Sequence, residues 1–256
     1  MKTKDLLLPK IVFEAKYKQG YRYLDRCGET MIEVENKLKN WNAKEANISS
    51  GQMQNISENM IFNFSSLKLD LNQNNVKDLD CTNFFTYSKE IFKIVSKNLG
   101  IKDYIRFGLR YWLLYPIDSV KTGRRILSTN GFFKIDNKIE KMFDKEIKDR
   151  NFIAVLEKDK EGHRISLAMV FKEGTNIEKE ENKFLTTAPH KLPTKQKEAL
   201  IAQLERKQKQ AENPDVALLI DIDSYINDPK TEQLDGFIKS AADVTIKNAI
   251  SLIEEK

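Results

Sequence analysis

The segment IKDYIRFGLRYWLLYP, residues 101–116, constrains the fold more than any other part of the chain. Phe107, Leu109, Tyr111, Leu113 and Tyr115 fall on one face of an extended backbone, and Arg106, Gly108, Arg110 and Trp112 fall on the other. Period two over this length reads as a long, half-buried strand that ends at Pro116. The same alternation opens the chain. In KIVFEAKYK, Lys10–Lys18, the residues Ile11, Phe13, Ala15 and Tyr17 alternate with Val12, Glu14, Lys16 and Lys18.

Between these strands the period changes. Leu24, Cys27, Met31, Val34, Leu38 and Trp41 recur at spacings of three and four, the stripe of an amphipathic helix. Residues 44–57, rich in Asn, Ser and Gln around Gly51, read as a polar loop. Met60, Phe62 and Phe64 alternate, as do Leu67, Leu69 and Leu71, which predicts a hairpin or one long bent strand, followed by a second loop over 72–83. Thr86 or Ser88 is placed to cap a helix that runs to Asn98, with Phe92, Val95 and Leu99 inward and Gly100 just past its end.

The second half begins with a basic connector, SVKTGRRILSTNG, and a short helical candidate around Lys138–Lys148. Strands over Phe152–Glu157 and Arg164–Phe171, joined by KDKEG, read as a hairpin. Residues 173–191 read as a long charged loop, and Pro193 and Thr194 open a helix to about Ala211. VALLIDIDSYI reads as a buried strand, and Asp228–Pro229 as the start of a last helix with Leu234, Phe237, Ile238, Ala241, Val244, Thr245 and Leu252 on its apolar face. The expectation is therefore an α+β protein with a predominantly antiparallel sheet or sheets. Residues 1–117 follow a βαββαβ order compatible with a ferredoxin-like split βαβ unit. Residues 118–256 follow a related (α)ββαβα order, the two halves packing as one compact unit.

Composition removes several function classes. No apolar run approaches the roughly 20 residues of a membrane-spanning helix, and Leu6–Leu8 is too short for a signal-peptide core. A cytoplasmic home is the expectation. Two cysteines, Cys27 and Cys81, cannot build a disulfide framework, and two histidines, His163 and His190, offer no zinc spacing, so neither cofactor nor metal is expected. Cys27 lies within the helical stripe and reads as a small core residue; nothing brings it near His163 as a nucleophile pair. The acid-rich stretch 178–181 reads as solvated.

Charge is distributed unevenly although the net value is only +5. Residues 87–126 hold nine basic and three acidic residues, a net +6, whereas residues 213–256 hold nine acidic and four basic ones, a net −5. An acidic protein or a nucleic-acid backbone could use that asymmetry. Pairing of a basic strand with an acidic strand inside the fold is the simpler account. Asp221 and Asp223, two apart on one strand, share a face at about 7 Å, a spacing that suits Mg²⁺ or acid–base work only with a third group that the sequence does not identify. Salt bridges to Arg106 or Arg110 explain the same pattern, and Glu14, an acid within an apolar strand, calls for a cation across the sheet. Two guanidiniums around Gly108 would also suit a carboxylate or phosphate.

LPKIVFEAKYK, FFTYSKEIF, YIRFGLRYWLLYP and VALLIDIDSYIND, in this order, resemble a sporadically distributed family of uncharacterised prokaryotic proteins of about this length, the GLRY strand being the most specific element. Trp112 and Leu113 stand where an Asn commonly follows the Tyr in that family. The resemblance implies mobile or defence-associated genes and a role in phage–host conflict; it brings no reaction. The expected function is thus a non-enzymatic protein-binding, accessory or sensor subunit whose charged cluster comprises Glu14, Arg106, Arg110, Asp221 and Asp223. The alternative is an RNA-binding or RNA-processing protein, and no membrane partner is expected.

Overall fold

A computed structural model of the protein describes residues 5–18, 20–76, 79–129, 142, 151–171 and 214–254. The elements run β1 (Leu7–Tyr17), α1 (Tyr23–Lys37), β2 (Trp41–Ala46), β3 (Ser50–Asn55), β4 (Met60–Ser65), β5 (Lys68–Val76), α2 (Thr82–Leu99), β6 (Tyr104–Pro116), α3 (Val120–Thr129), β7 (Phe152–Lys158), β8 (Glu161–Phe171), β9 (Val216–Asn227) and α4 (Leu234–Ala249). The nine strands among the described residues form one sheet, in the order β2-β3-β4-β5-β1-β6-β9-β8-β7, and every neighbouring pair is antiparallel. The two halves of the chain meet at the β6–β9 seam, where Tyr111 stands opposite Ile222 and Arg110 opposite Asp223. The protein is therefore α+β with a single large antiparallel sheet.

One face of that sheet is the core. Phe13 of β1, Phe62 of β4, Leu71 of β5, Phe107 of β6 and Ile220 of β9 all lie on it and are fully or almost fully buried. Helices cover them. Phe92 of α2 sits edge-on to Phe13 and Phe107, and Phe237 of α4 is 6.3 Å from Phe107 between ring centres. The alternation that places these side chains inward turns β1 and β6 residues of the opposite parity, Lys10 to Lys16 and Arg106 to Trp112, onto the second face. Among the described residues no helix covers that second face, and no helix is long and apolar enough to cross a membrane.

Several local expectations need correction. Residues 44–57 are not a loop: they supply most of the β2–β3 hairpin, whose turn is tied by Asn47 Oδ1 accepting from the backbone N–H of Ser49 and Ser50, each at 2.9 Å. Their strand period is muted because Gly51, Met53 and Asn55 line the buried face and only one of them is large and apolar. Likewise β5 continues to Val76 through what reads as loop, with Gln73 buried and donating to the Glu58 carbonyl at 3.1 Å. The first half thus has β2 and β3 in addition to the expected strands. Helix α2 starts at Thr82, since Thr86 and Ser88 bond back to the carbonyls of Thr82 and Phe84 instead of capping. Gly100, at φ 66°, ends it as expected.

The basic connector forms α3, with Ser119 Oγ accepting from the Thr122 N–H at 3.2 Å. In α1 the inner stripe is Tyr23, Cys27, Met31 and Val34, which leaves Leu24 67% exposed, and Trp41 belongs to β2. A 3₁₀ turn at Thr231–Gln233 separates Pro229 from α4, so that proline does not open the helix. The helices expected around 138–148 and 193–211, the loop over 173–191, the acid-rich stretch 178–181 and His190 lie outside the described residues.

One link between α1 and α2 is pH-dependent. Glu33 accepts from Lys37 Nζ at 2.6 Å, Asn98 Nδ2 at 2.9 Å and Lys97 Nζ at 3.3 Å, and these bonds, led by Lys37, lower its pKa from 4.5 to about 2. A carboxylate whose pKa is depressed by folding contributes stability above its unfolded value, and that contribution is lost as pH falls through the folded value. Wild-type protein should lose stability between pH 4.5 and about 2 more steeply than Glu33→Gln, as read from urea midpoints across that range. At neutral pH the variant should be the weaker of the two.

Candidate charged site on the open sheet face

The five candidate residues come together on the second face, around the middle of the sheet. Arg110 stands opposite Asp223 in register but leans along the strand to Asp221, with Nε and Nη2 donating to its two carboxylate oxygens at 2.7 and 2.6 Å. Arg106, opposite Asn227, leans the same way and donates from Nη2 to Asp223 at 2.7 Å. The bidentate bond to Asp221 raises the Arg110 pKa further above its already high value, which keeps the guanidinium charged. Both oxygens of Asp221 accept from one fork, so the edge that would chelate a cation bidentately is already taken by Arg110. Among the described residues no group of three His, Cys, Asp or Glu side chains could hold a metal ion.

Glu14 is opposite Gly108 and is shared among three cations: Lys16 at 3.4 Å, Lys68 at 3.7 Å and Arg106 at 3.9 Å. A Cβ at Gly108 would make only ordinary contacts, 3.6 Å to Asp223 and 3.9 Å to Arg106. No crowding therefore forces glycine there; both forks turn towards β9, and the strip expected to lie open between them is bordered by the Arg106 guanidinium and Asp223 Oδ1.

The cluster is wider than the five residues. Lys68 also meets Asp70 at 3.1 Å; burial works against its charge, but Asp70 and Glu14 outweigh that and raise its pKa. Asp70 accepts from Asn63 at 2.8 Å and Asn72 at 2.7 Å, and Asn63 accepts from Gln52 at 2.6 Å. The result is a polar ladder, Gln52–Asn63–Asp70–Lys68–Glu14–Arg106–Asp223, that crosses β3, β4, β5, β1, β6 and β9. Alternation in β5, with Lys68, Asp70, Asn72 and Asn74 between Leu69, Leu71 and Gln73, was the signal for its middle part.

Two aromatic rings interleave with these cations. The Arg106 guanidinium lies 4.6 Å from the centre of the Tyr225 ring, and Trp112 has Lys10 Nζ at 4.9 Å and Arg110 Cζ at 5.2 Å. Tyr225 reaches β7 by donating to Glu157, a bond that raises the phenol's pKa. Gly162 makes room for this ring, because a Cβ there would come within 2.5 Å of it. Among the described residues Arg106 Nε and Trp112 Nε1 find no acceptor.

Cys27 and His163 lie apart in the fold. Cys27 is buried in α1 and bonds Tyr23 Oη at 3.3 Å, whereas His163 of β8 shares a 2.9 Å hydrogen bond with Ser224 of β9. No family model matches the chain, and no curated protein matches it.

Proposed function

We propose that this protein is a non-enzymatic recognition protein that binds another protein through the open face of its sheet, as a sensor, inhibitor or accessory subunit. The observation that carries the reading is the ladder itself. Its carboxylates and guanidiniums neutralise one another across neighbouring strands and converge on no common point, an arrangement suited to a broad contact surface and not to bond-making chemistry. A setting in phage defence or counter-defence rests on the family resemblance described above. The neighbour order β4-β5-β1-β6, with both crossover helices on one face, supports reading the first half as a ferredoxin-like unit widened by the β2–β3 hairpin.

The test is capture from the native host by tagged wild-type chain and by a Lys10→Glu, Val12→Glu double variant, which changes two half-buried open-face positions of β1 outside the ladder. The expected result is a partner retained at least tenfold better by the wild type, with equal melting temperatures for the two proteins. Wild-type protein recovered alone, or a variant that keeps the partner, overturns the reading.

A second reading, RNA binding, is favoured by the interleaving of Trp112 and Tyr225 with Lys10, Arg110 and Arg106. It requires retention of single-stranded RNA at low salt and its steep loss as salt rises. Absence of retention at low salt removes it.

A further inference from the structure

His163 and Ser224 take two positions on the core face that their strands otherwise give to apolar residues. In β9 the neighbouring inward positions hold Ile220, Ile222 and Ile226, and in β8 they hold Ile165 and Leu167. Ser224 is 1% exposed, and its Oγ lies 2.9 Å from His163 Nδ1 across the two strands. Each group satisfies the other, yet two apolar side chains of similar shape would fill the same space at little or no loss of stability. The fold alone therefore does not call for this pair.

Both residues lie on the wall of a cavity of about 260 Å³ between the sheet and the start of α4. Helix α4 contributes small residues to it, Gly236 and, one turn on, Ser240. Among the described residues a Cβ at Gly236 would meet no atom within 4 Å, so crowding does not demand glycine at a helical position where it weakens the helix. A polar floor on the strands and a trimmed helix above it are the marks of a built binding site.

The lining selects the occupant. Its volume falls below the range of about 300–1,000 Å³ that holds drug-sized ligands, which limits the buried part to one or two rings. Phe237 gives the wall an aromatic surface for a planar ring. Among the described residues on that wall Glu161 alone is an acid or a base of fixed charge, which disfavours an anion. With Nδ1 engaged by Ser224, His163 has Nε2 to offer, as donor or acceptor according to the tautomer. Gln233 accepts the Lys230 N–H through Oε1 at 2.7 Å, which makes its NH2 the group it gives to a ligand. Donors and acceptors set around a flat aromatic surface are the chemistry that reads the edge of a nucleobase.

We propose that this cavity binds a free, uncharged nucleoside, with the base held between Phe237 and the His163–Ser224 pair. The inference does not rest on recognition through the opposite face of the sheet.

The experiment is isothermal titration of the full chain with adenosine, guanosine, cytidine and uridine in turn. At least one should bind with a Kd on the order of 100 µM or tighter, and in NMR of wild-type protein it should shift the ring resonances of His163 and Phe237. Ser240→Leu and Gly236→Leu each place a larger side chain at the cavity and a better helix former in α4, so each should weaken binding about tenfold or more while the melting temperature holds or rises. No binding by any of the four at millimolar concentration, ring resonances that stay in place on saturation, binding that survives both substitutions, or a trinucleotide that binds where all four nucleosides fail overturns the proposal.

Discussion

Asp221→Ala is expected to lower the free energy of unfolding by about 2–3 kcal/mol, because it leaves the Arg110 guanidinium without the carboxylate that fills its fork. Complete burial of both partners would cost more, but Arg110 keeps 36% of its side chain in water, against 10% for Asp221, and solvent softens the loss. The informative comparison is the double variant Arg110→Met, Asp221→Leu. Apolar groups of similar volume remove both charges at once, so its stability should lie within about 1 kcal/mol of wild type. Urea unfolding of wild type, Asp221→Ala and the double variant measures this. A single variant as stable as wild type would mean that the pair is held no more firmly than a surface contact. If the double variant folds normally and fails to retain the partner, the pair serves recognition and not stability.

Phe107→Ala should cost about 3–5 kcal/mol. Its ring is fully buried on β6, where it touches Phe92 of α2 edge-on at 5.4 Å, Tyr104 at 5.0 Å and Phe237 of α4 at 6.3 Å between ring centres. Losing it opens a cavity at the point where two helices from distant parts of the chain rest on the sheet. The melting temperature should fall by roughly 6–20 °C, at about 2–4 °C per kcal/mol for a chain of this size. A fall of only a degree or two in calorimetry would show that α2 and α4 are anchored elsewhere.

How much of this was legible beforehand depends on how strongly each segment alternates. Strands β1, β6 and β9 carry apolar residues at most inward positions, so the face that holds Glu14, Arg106, Arg110, Asp221 and Asp223 follows from spacing, although β1 begins at Leu7, ahead of the expected Lys10. The β2–β3 hairpin does not show itself, because strands at the margin of a sheet bury little. Gly51 and Asn55 occupy inward positions where a valine would have revealed the period. Helix α3 reads as connector since Lys121, Arg124 and Arg125 dominate it and its buried residues Gly123, Ile126 and Leu127 are few.

Spacing also could not say which strand lies beside which. That Asp70 and Lys68 join Glu14 depends on β5 pairing with β1, a contact settled by packing of side chains far apart in sequence. Tyr225 escaped notice for a similar reason, since its place over Arg106 and against Glu157 needs β7, β8 and β9 assembled.

The seam between β6 and β9 carries a consequence for synthesis. Arg106 and Asp223 are 117 residues apart, and Arg110 and Asp221 are 111 apart. As the ribosome delivers the chain, β6 is finished long before its neighbour emerges. During that interval the nascent sheet ends in a thirteen-residue strand with a free hydrogen-bonding margin. The two arginines, still without their aspartates, stand on the second face beside that margin, where their like charges would oppose pairing with an identical nascent strand. The residues that later tie the halves together thus act first as gatekeepers against premature association.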